Sequence, residues 1–113
     1  MHELSLATAL VEQVTDLLME EGASIVVSIR LQMGTLCGVE REAFSFCFPV
    51  AAKGSVLEDA RLEIEEIAAT VRCKDCGACS PAEFPLVRCA ACGGIDVDIV
   101  TGRDFMLKSL EVQ

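Results

Sequence analysis

The sequence contains no tyrosine, no tryptophan and only one histidine among its 113 residues. Without Tyr or Trp, it offers few aromatic faces on which nucleic-acid bases could stack. Basic residues are also few, nine against 18 acidic ones, and the formal charge of −9 repels phosphate backbones. With only one histidine, the sequence does not allow a Ser/His/Asp or Cys/His set of catalytic residues to be assembled. These deficits argue against a nucleic-acid-binding protein and against enzymes of those nucleophilic classes.

Long apolar runs are missing too. No stretch of 18 apolar residues is present, so no membrane-spanning helix is predicted. The first residues lack the charged region and cleavage site of a signal peptide. Seven cysteines, an odd number in metal-type spacing, favour a reducing compartment over a disulfide framework. We therefore expect a cytoplasmic protein, about one domain in length, with no membrane association.

Two pairs of cysteines give the strongest signal in the sequence. Each pair has the spacing C-x2-C, and 12 residues separate the pairs. Two thiolates at this spacing can bind one metal ion from a tight turn, and two such turns complete a tetrahedral shell. Glycine follows each pair, which suits a turn whose backbone must reach positive φ. The pattern predicts a structural zinc site with the ligands Cys73, Cys76, Cys89 and Cys92.

Other interpretations of these cysteines stay open from spacing alone. The same four-sulfur site could hold iron in a rubredoxin-like electron carrier, and C-x2-C pairs also occur in thiol oxidoreductases. A zinc-ribbon accessory or interaction protein would share the same knuckles. Cys79 is expected to lie outside the metal site, and Cys47 to be a small core residue.

Hydrophobic periodicity predicts an α+β fold, with two helices packed on a small β-sheet and an inserted zinc-ribbon-like module of two CxxC knuckles. The predicted helices are Leu4 to about Gly22 and a second one from Val39 or Glu40, which Pro49 should end or kink around Phe48. The first helix has a predicted apolar stripe of Leu6, Leu10, Val14, Leu17 and Leu18. The predicted strands are Ile25–Met33, with alternate residues from Ile25 facing inward, Arg61–Ile67, Asp96–Val100 and Asp104–Val112.

The predicted domain division follows from the position of the cysteines. Residues 1–70 together with 96–113 form an α/β domain, and residues 71–95 form an inserted zinc-binding domain. Within the insertion, a long loop is expected to cover the metal with Pro81, Phe84, Pro85, Leu86 and Val87.

The first residues, Met1-His2-Glu3, include the only histidine. The α-amine, the His2 backbone nitrogen and imidazole Nδ1 can form two fused chelate rings, which suit square-planar Ni(II) or Cu(II). The backbone nitrogen binds only after losing its proton, so affinity should rise with pH. Because an exposed terminal histidine is usually only solvated, these residues alone leave metal binding open.

Several short motifs run in one order from end to end of the chain. They are the Met-His-Glu-Leu-Ser-Leu start, the Gly34 turn, Cys37-Gly38-Val39-Glu40, Phe46-Cys47-Phe48, Gly54-Ser55, both C-x2-C pairs and the ending Lys108-Ser109-Leu110-Glu111-Val112. Together they resemble the HypA/HybF family, the nickel-insertion accessory proteins of NiFe-hydrogenase maturation. The combination of the start with the double C-x2-C is specific, although neither half is specific alone.

The resemblance implies a metallochaperone rather than an enzyme, with one transient Ni(II) as cargo and one structural Zn(II) at the four cysteines. Carried onto this sequence, the nickel-binding residues are His2, Glu3, Glu40 and, through its α-amine in some coordination forms, Met1. The implied partners are a HypB-type GTPase and the hydrogenase large subunit, with urease maturation factors in some organisms. A monomer is expected, with a weak strand-exchanged homodimer as the alternative.

Overall fold

A computed structural model describes residues 2–22, 25–82 and 86–113. The described part contains two α-helices and six strands in two three-stranded sheets. In chain order, the elements are α1 (His2–Glu21), β1 (Val26–Gly34), α2 (Arg41–Ala52), β2 (Arg61–Ile67), β3 (Ala69–Cys73), β4 (Cys79–Ala82), β5 (Val97–Thr101) and β6 (Phe105–Val112). Neither helix has the length and apolar content needed to cross a bilayer.

The chain divides into two compact units of packing. Unit 1 contains the residues up to Leu31, Val39–Ile64 and Leu107–Gln113, and unit 2 contains Gln32–Gly38 and Glu65–Met106. Packing alone does not establish which residues carry which function. The predicted functional division, 1–70 with 96–113 against 71–95, therefore stays a prediction.

Unit 1 has a hydrophobic interior to which both helices contribute. The predicted apolar stripe of α1 is confirmed for Leu10, Val14 and Leu18, which are at most 5% exposed, but Leu17 is 42% exposed. From α2, Phe44 and Phe48 are buried with their ring centroids 6.2 Å apart. Their packing follows the three- and four-residue spacing that places side chains on one face of a helix.

The second helix differs from its prediction at the C-terminal end. Pro49 does not end the helix, which continues to Ala52. Proline removes one backbone donor and exposes the carbonyl four residues earlier, that of Ser45. Ser45 and Pro49 are both exposed, so water can reach this part of the helix, while Ala52 is 1% exposed and gains from continued packing.

Strand β1 departs from the predicted alternation in its first half. The prediction places Ile25 and Val27 inward, but they are 49% and 40% exposed, whereas Val26 and Ser28 are buried. Ser28 and Ile29 are buried consecutively, which a regular pleat with one buried face does not allow. From Ile29 onward, the predicted alternation is confirmed.

The first sheet has the strand order β2-β1-β6. Within unit 1, the N–H of Gln113 donates to the carbonyl of Ile25 at 3.1 Å, and within unit 2 the N–H of Gly34 donates to the carbonyl of Asp104 at 2.8 Å. The two contacts join opposite ends of the strands, so β6 runs antiparallel to β1.

The second sheet has the order β4-β3-β5, and both pairings are antiparallel. Its small core consists of Ala69, Val71 and Ala82, with the partly buried Leu36, Val87, Val97 and Ile99 packed against it. The predicted long loop over the metal is wrong at Pro81, because residues 79–82 form β4. The predicted covering residue Leu86 is 63% exposed. The predicted covering residues Phe84 and Pro85 lie outside the described residues.

Two glycines in unit 2 lie against neighbouring backbone without room for a side chain. A Cβ atom built on Gly34 would overlap the carbonyl group of Gly102. A Cβ atom on Gly102, whose φ is +95°, would overlap Ala69. The N–H of Leu36 donates to the Gly102 carbonyl at 2.7 Å, so this close approach is part of the backbone hydrogen bonding.

Candidate metal centres

The two C-x2-C segments form turns with the same internal hydrogen bonds. In the first, the N–H of Cys76 points at the Cys73 sulfur at 3.5 Å, and the N–H of Gly77 donates to the Cys73 carbonyl at 2.9 Å. In the second, the equivalent contacts of Cys92 and Gly93 with Cys89 have the same lengths, 3.5 and 2.9 Å. The two glycines have φ of +77° and +75°, so the predicted positive-φ turns are confirmed.

The two turns bring four sulfur atoms together. All four lie within 4.8 Å of one another, and the pairs Cys73–Cys92 and Cys76–Cys89 are 3.5 and 3.6 Å apart. A Zn–S bond of about 2.3 Å places the sulfurs of a tetrahedral site roughly 3.8 Å apart. Four thiols at these distances therefore fit a structural zinc ion, as the spacing predicts. Cys79 is exposed and is not a member of this group.

The thiols of the second turn differ in acidity because their surroundings differ. The backbone N–H of Cys92, aided by that of Ala91, lowers the pKa of Cys89 to about 6. For Cys92, the N–H of Gly94 acts to lower the pKa, but hydrogen bonds with the other three sulfurs outweigh it and raise the pKa to about 12. A metal ion must displace the remaining protons, so binding releases protons and weakens as the pH falls.

Little space is left beside the sulfurs at Gly94, and Lys74 makes further contacts nearby. A Cβ atom on Gly94 would lie 3.2 Å from a carboxylate oxygen of Asp75 and 3.3 Å from the Cys92 sulfur. Lys74, between two ligands, donates its N–H to the Asp96 carbonyl at 2.9 Å, and its ammonium group lies 3.6 Å from Asp96 and from Asp98. Spacing along the sequence does not indicate the contacts of Lys74 with Asp96 and Asp98, because they join residues more than 20 positions apart.

The predicted nickel residues His2, Glu3 and Glu40 lie at the starts of the two helices of unit 1. His2 is exposed and is the first residue of α1. The N–H of Glu40 donates to a carboxylate oxygen of Glu3 at 3.4 Å, so these two predicted residues lie side by side. Met1 lies outside the described residues.

Glu40 also caps the second helix. Its carboxylate accepts hydrogen bonds from the N–H groups of Glu42 and Ala43 at 3.3 and 2.6 Å. These are two of the N–H groups that an α-helix cannot satisfy internally at its start. The sequence carries no clear signal for this structural role, because glutamate is not among the usual N-cap residues Ser, Thr, Asp and Asn.

Comparison with known proteins identifies the family. The sequence model described as hydrogenase/urease nickel incorporation, metallochaperone, hypA matches residues 1–112. The chain belongs to the HypA family. HypA hydrogenase maturation factors from Chlorobaculum tepidum and Chlorobium limicola are 42% and 38% identical to it over 113 residues, covering the whole chain and 100% and 97% of those proteins. The HypA factor of Streptomyces avermitilis is 40% identical over 112 residues, covering 97% of the chain and 86% of that protein.

Solved HypA structures have the same fold. The solution structure of the Ni metallochaperone HypA from Helicobacter pylori superimposes with a TM-score of 0.70 at 25% identity, covering 99% of this chain and 97% of that one. A second HypA solution structure gives a TM-score of 0.73 at 25% identity, with 100% and 97% coverage. The predicted family and the α+β fold are therefore confirmed. The four clustered thiols are consistent with a structural zinc ion. Membership of this family is consistent with nickel as transient cargo.

Proposed function

We propose that this HypA-family chain binds one Ni(II) ion at its N-terminal residues and delivers it during maturation of NiFe-hydrogenase. The proposal depends most on one observation: in a chain that matches the HypA family over residues 1–112, the single histidine is exposed at the start of α1. An exposed imidazole at this position is open to an incoming ion. The zinc at the four cysteines serves structure and is not delivered.

The start of a helix suits coordination through backbone nitrogen. The first N–H groups of an α-helix have no carbonyl partner within the helix. Binding nickel through the backbone nitrogen of His2 or Glu3 would therefore break no hydrogen bond inside α1. With the His2 imidazole and the α-amine of Met1, these nitrogens supply a square-planar set, which disfavours zinc with its tetrahedral preference.

The acidic residues contribute to the same site in the proposal. Glu3 follows His2 and has its carboxylate beside the N–H of Glu40. Glu40 adds negative charge near the bound cation, although its carboxylate also caps α2. Direct coordination by Glu40 would require it to give up one of its capping bonds, so we expect it to support rather than dominate nickel affinity.

Delivery requires partners and no catalysis by this chain. We propose that a HypB-type GTPase and the hydrogenase large subunit take part, with urease maturation factors as further recipients, and that the exchange occurs in the cytoplasm. A ligand set at exposed first residues supports release, because its ligands can leave the ion one at a time. We assign no enzymatic activity.

Calorimetric titration with Ni(II) tests the proposal. Zinc-loaded protein whose first residue is Met1 should bind one nickel ion, and His2→Ala should abolish that binding while keeping one zinc per chain. Gln13→Ala changes an exposed residue later in α1 and should bind nickel as the original protein does. Equal nickel binding by the His2 variant would contradict the proposal and favour a zinc-ribbon interaction protein instead.

A further inference from the structure

Ser80 is a polar residue in the small core of unit 2. Burial alternates along β4, so that Ser80 and Ala82 are buried while Cys79 and Pro81 are exposed. Ser80 is 8% exposed and pairs in register with Val71 of β3. A hydroxyl group at such a position is expected to have a hydrogen-bond partner and a structural reason to be there.

The hydroxyl group of Ser80 contacts the second cysteine turn. Its Oγ accepts a hydrogen bond from the N–H of Ala90 at 3.1 Å. Ala90 directly follows Cys89, whose sulfur belongs to the four-thiol group and which is 1% exposed. The bond therefore links β4 to the backbone immediately beside a metal ligand.

The first cysteine turn has a matching bond with a different acceptor. Lys74 occupies the position after Cys73 that Ala90 occupies after Cys89, and its N–H donates to the main-chain carbonyl of Asp96 at 2.9 Å. We propose that Ser80 is a positioning residue of the zinc site, which supplies by its side chain the acceptor that the main chain supplies to the first turn.

The two turns need this support to different degrees. Cys73 is the last residue of β3 and Cys79 begins β4, so strands extend from both ends of the first turn. The second turn is followed by β5 only from Val97 onward. The orientation of Cys89 consequently depends more on individual hydrogen bonds. Some lie within the turn, such as that from the Cys89 N–H to the Gly94 carbonyl at 2.9 Å, whereas the Ser80 bond links the turn to β4.

The test measures zinc release to an excess of a chromogenic chelator. Groups that orient metal ligands typically change metal affinity by about 10- to 100-fold, so Ser80→Ala should release zinc roughly tenfold faster than the original protein. Ser80→Thr keeps the hydroxyl group and should stay within about twofold. Ser55→Ala is the matched control, since it removes a serine hydroxyl bonded to the backbone at Ala52 and Leu57 in unit 1.

Hydrogen exchange separates positioning from general loosening of unit 2. In zinc-bound Ser80→Ala, the Ala90 amide should exchange faster while the Lys74 amide keeps its protection. Three results would overturn the proposal. In Ser80→Ala, the Ala90 and Lys74 amides could exchange faster by the same factor, or zinc could be released no faster than from the original protein. In the third, Ser55→Ala would accelerate zinc release as much as Ser80→Ala does. Should Ser80→Ala fail to fold, the original protein still decides: an Ala90 amide without protection in the zinc-bound state contradicts the proposed bond.

Discussion

The two compact units fill their interiors in different ways. Among the residues that the structure describes, six of the ten largest fully buried side chains lie in unit 1, and all six are purely hydrophobic: Phe44, Ile29, Leu31, Leu57, Val14 and Val26. The four in unit 2 are Met33, Val71, Cys73 and Cys89, and the last two belong to the four-thiol group. Unit 1 therefore has an ordinary core, whereas half of the corresponding set in unit 2 consists of thiols predicted to bind a metal ion.

This difference assigns different roles to the two proposed metals. Two of the four predicted zinc ligands, Cys73 and Cys89, are each 1% exposed, which favours a permanent ion. His2 is exposed at the start of α1, which favours an ion that enters and leaves. A unit with a small core gains folding energy from its metal, while the other unit can fold without one and leave its metal site open.

Removing zinc should have the largest effect. Apparent binding energies of structural zinc reach about 10–16 kcal/mol in zinc-finger peptides, comparable with the roughly 5–15 kcal/mol that stabilises a whole domain. After chelation, the amides of β3 should lose their protection from hydrogen exchange while those of α1 keep most of theirs. Protected β3 amides in zinc-free protein would show that the unit 2 core suffices by itself.

Two cysteine variants control this experiment. Cys73→Ser removes a ligand and should abolish stoichiometric zinc binding. Cys79→Ser changes an exposed thiol outside the group and should retain one zinc per chain. Loss of zinc from the Cys79 variant in elemental analysis would mean that this thiol also serves as a ligand.

A substitution in the unit 1 core comes next in size. Phe44 is fully buried, so Phe44→Ala should lower the free energy of unfolding by about 3–5 kcal/mol. Zinc content should not change, because unit 2 keeps its ligands. Phe46, two positions away and 80% exposed, is the matched control, and Phe46→Ala should have little effect in the same urea titration. Similar losses from both variants would contradict the assigned core.

Removing the cap of α2 should have a smaller effect on stability. Glu40→Ala removes the acceptor for two N–H groups at the start of α2 and should lower the free energy of unfolding by about 1 kcal/mol. Glu40→Asp keeps a capping carboxylate and should retain most of the free energy of unfolding that Glu40→Ala loses. If Glu40 contributes to nickel affinity by charge alone, Glu40→Gln should weaken nickel binding in calorimetry while zinc stays bound.

The smallest effect is expected at Lys74. The charges of Asp96 and Asp98 raise the pKa of its ammonium group above the usual 10.5. A raised pKa means that the interaction stabilises the folded state at neutral pH and is lost as pH rises through that raised value. All three side chains are largely exposed, so Lys74→Gln should leave the thermal midpoint at pH 7 nearly unchanged. A clear drop that persists in high salt would contradict this expectation.

Local patterns in the sequence were sufficient to predict much of the fold. The bounds of β2, the four-cysteine group and most of the α1 stripe follow from spacing alone, and the structure agrees with them except at Leu17, which is exposed. β4 was missed because its four residues, Cys-Ser-Pro-Ala, have no β-branched or aromatic member to indicate a strand. The continuation of α2 past Pro49 depends on the burial of Ala52, which propensity does not report.

The contacts of the candidate sites depend on residues far apart in the chain. The Glu3–Glu40 and Ser80–Ala90 bonds join residues 37 and 10 positions apart, and no periodicity predicts either. The resemblance to the HypA/HybF family named Glu3 and Glu40 together, although it did not indicate that Glu40 caps a helix. Ser80 had no such indication, because it follows neither a metal-ligand spacing nor a helical stripe.

The close approach of Gly34 and Gly102 affects how a saturation-mutagenesis experiment on this protein should be interpreted. Every replacement at either position introduces a carbon atom where backbone already lies, so both positions should reject all 19 alternatives. Such complete intolerance resembles that of an indispensable metal ligand. At these two positions, however, it would report a lack of space, and a zinc or nickel assay would be the wrong way to follow it up.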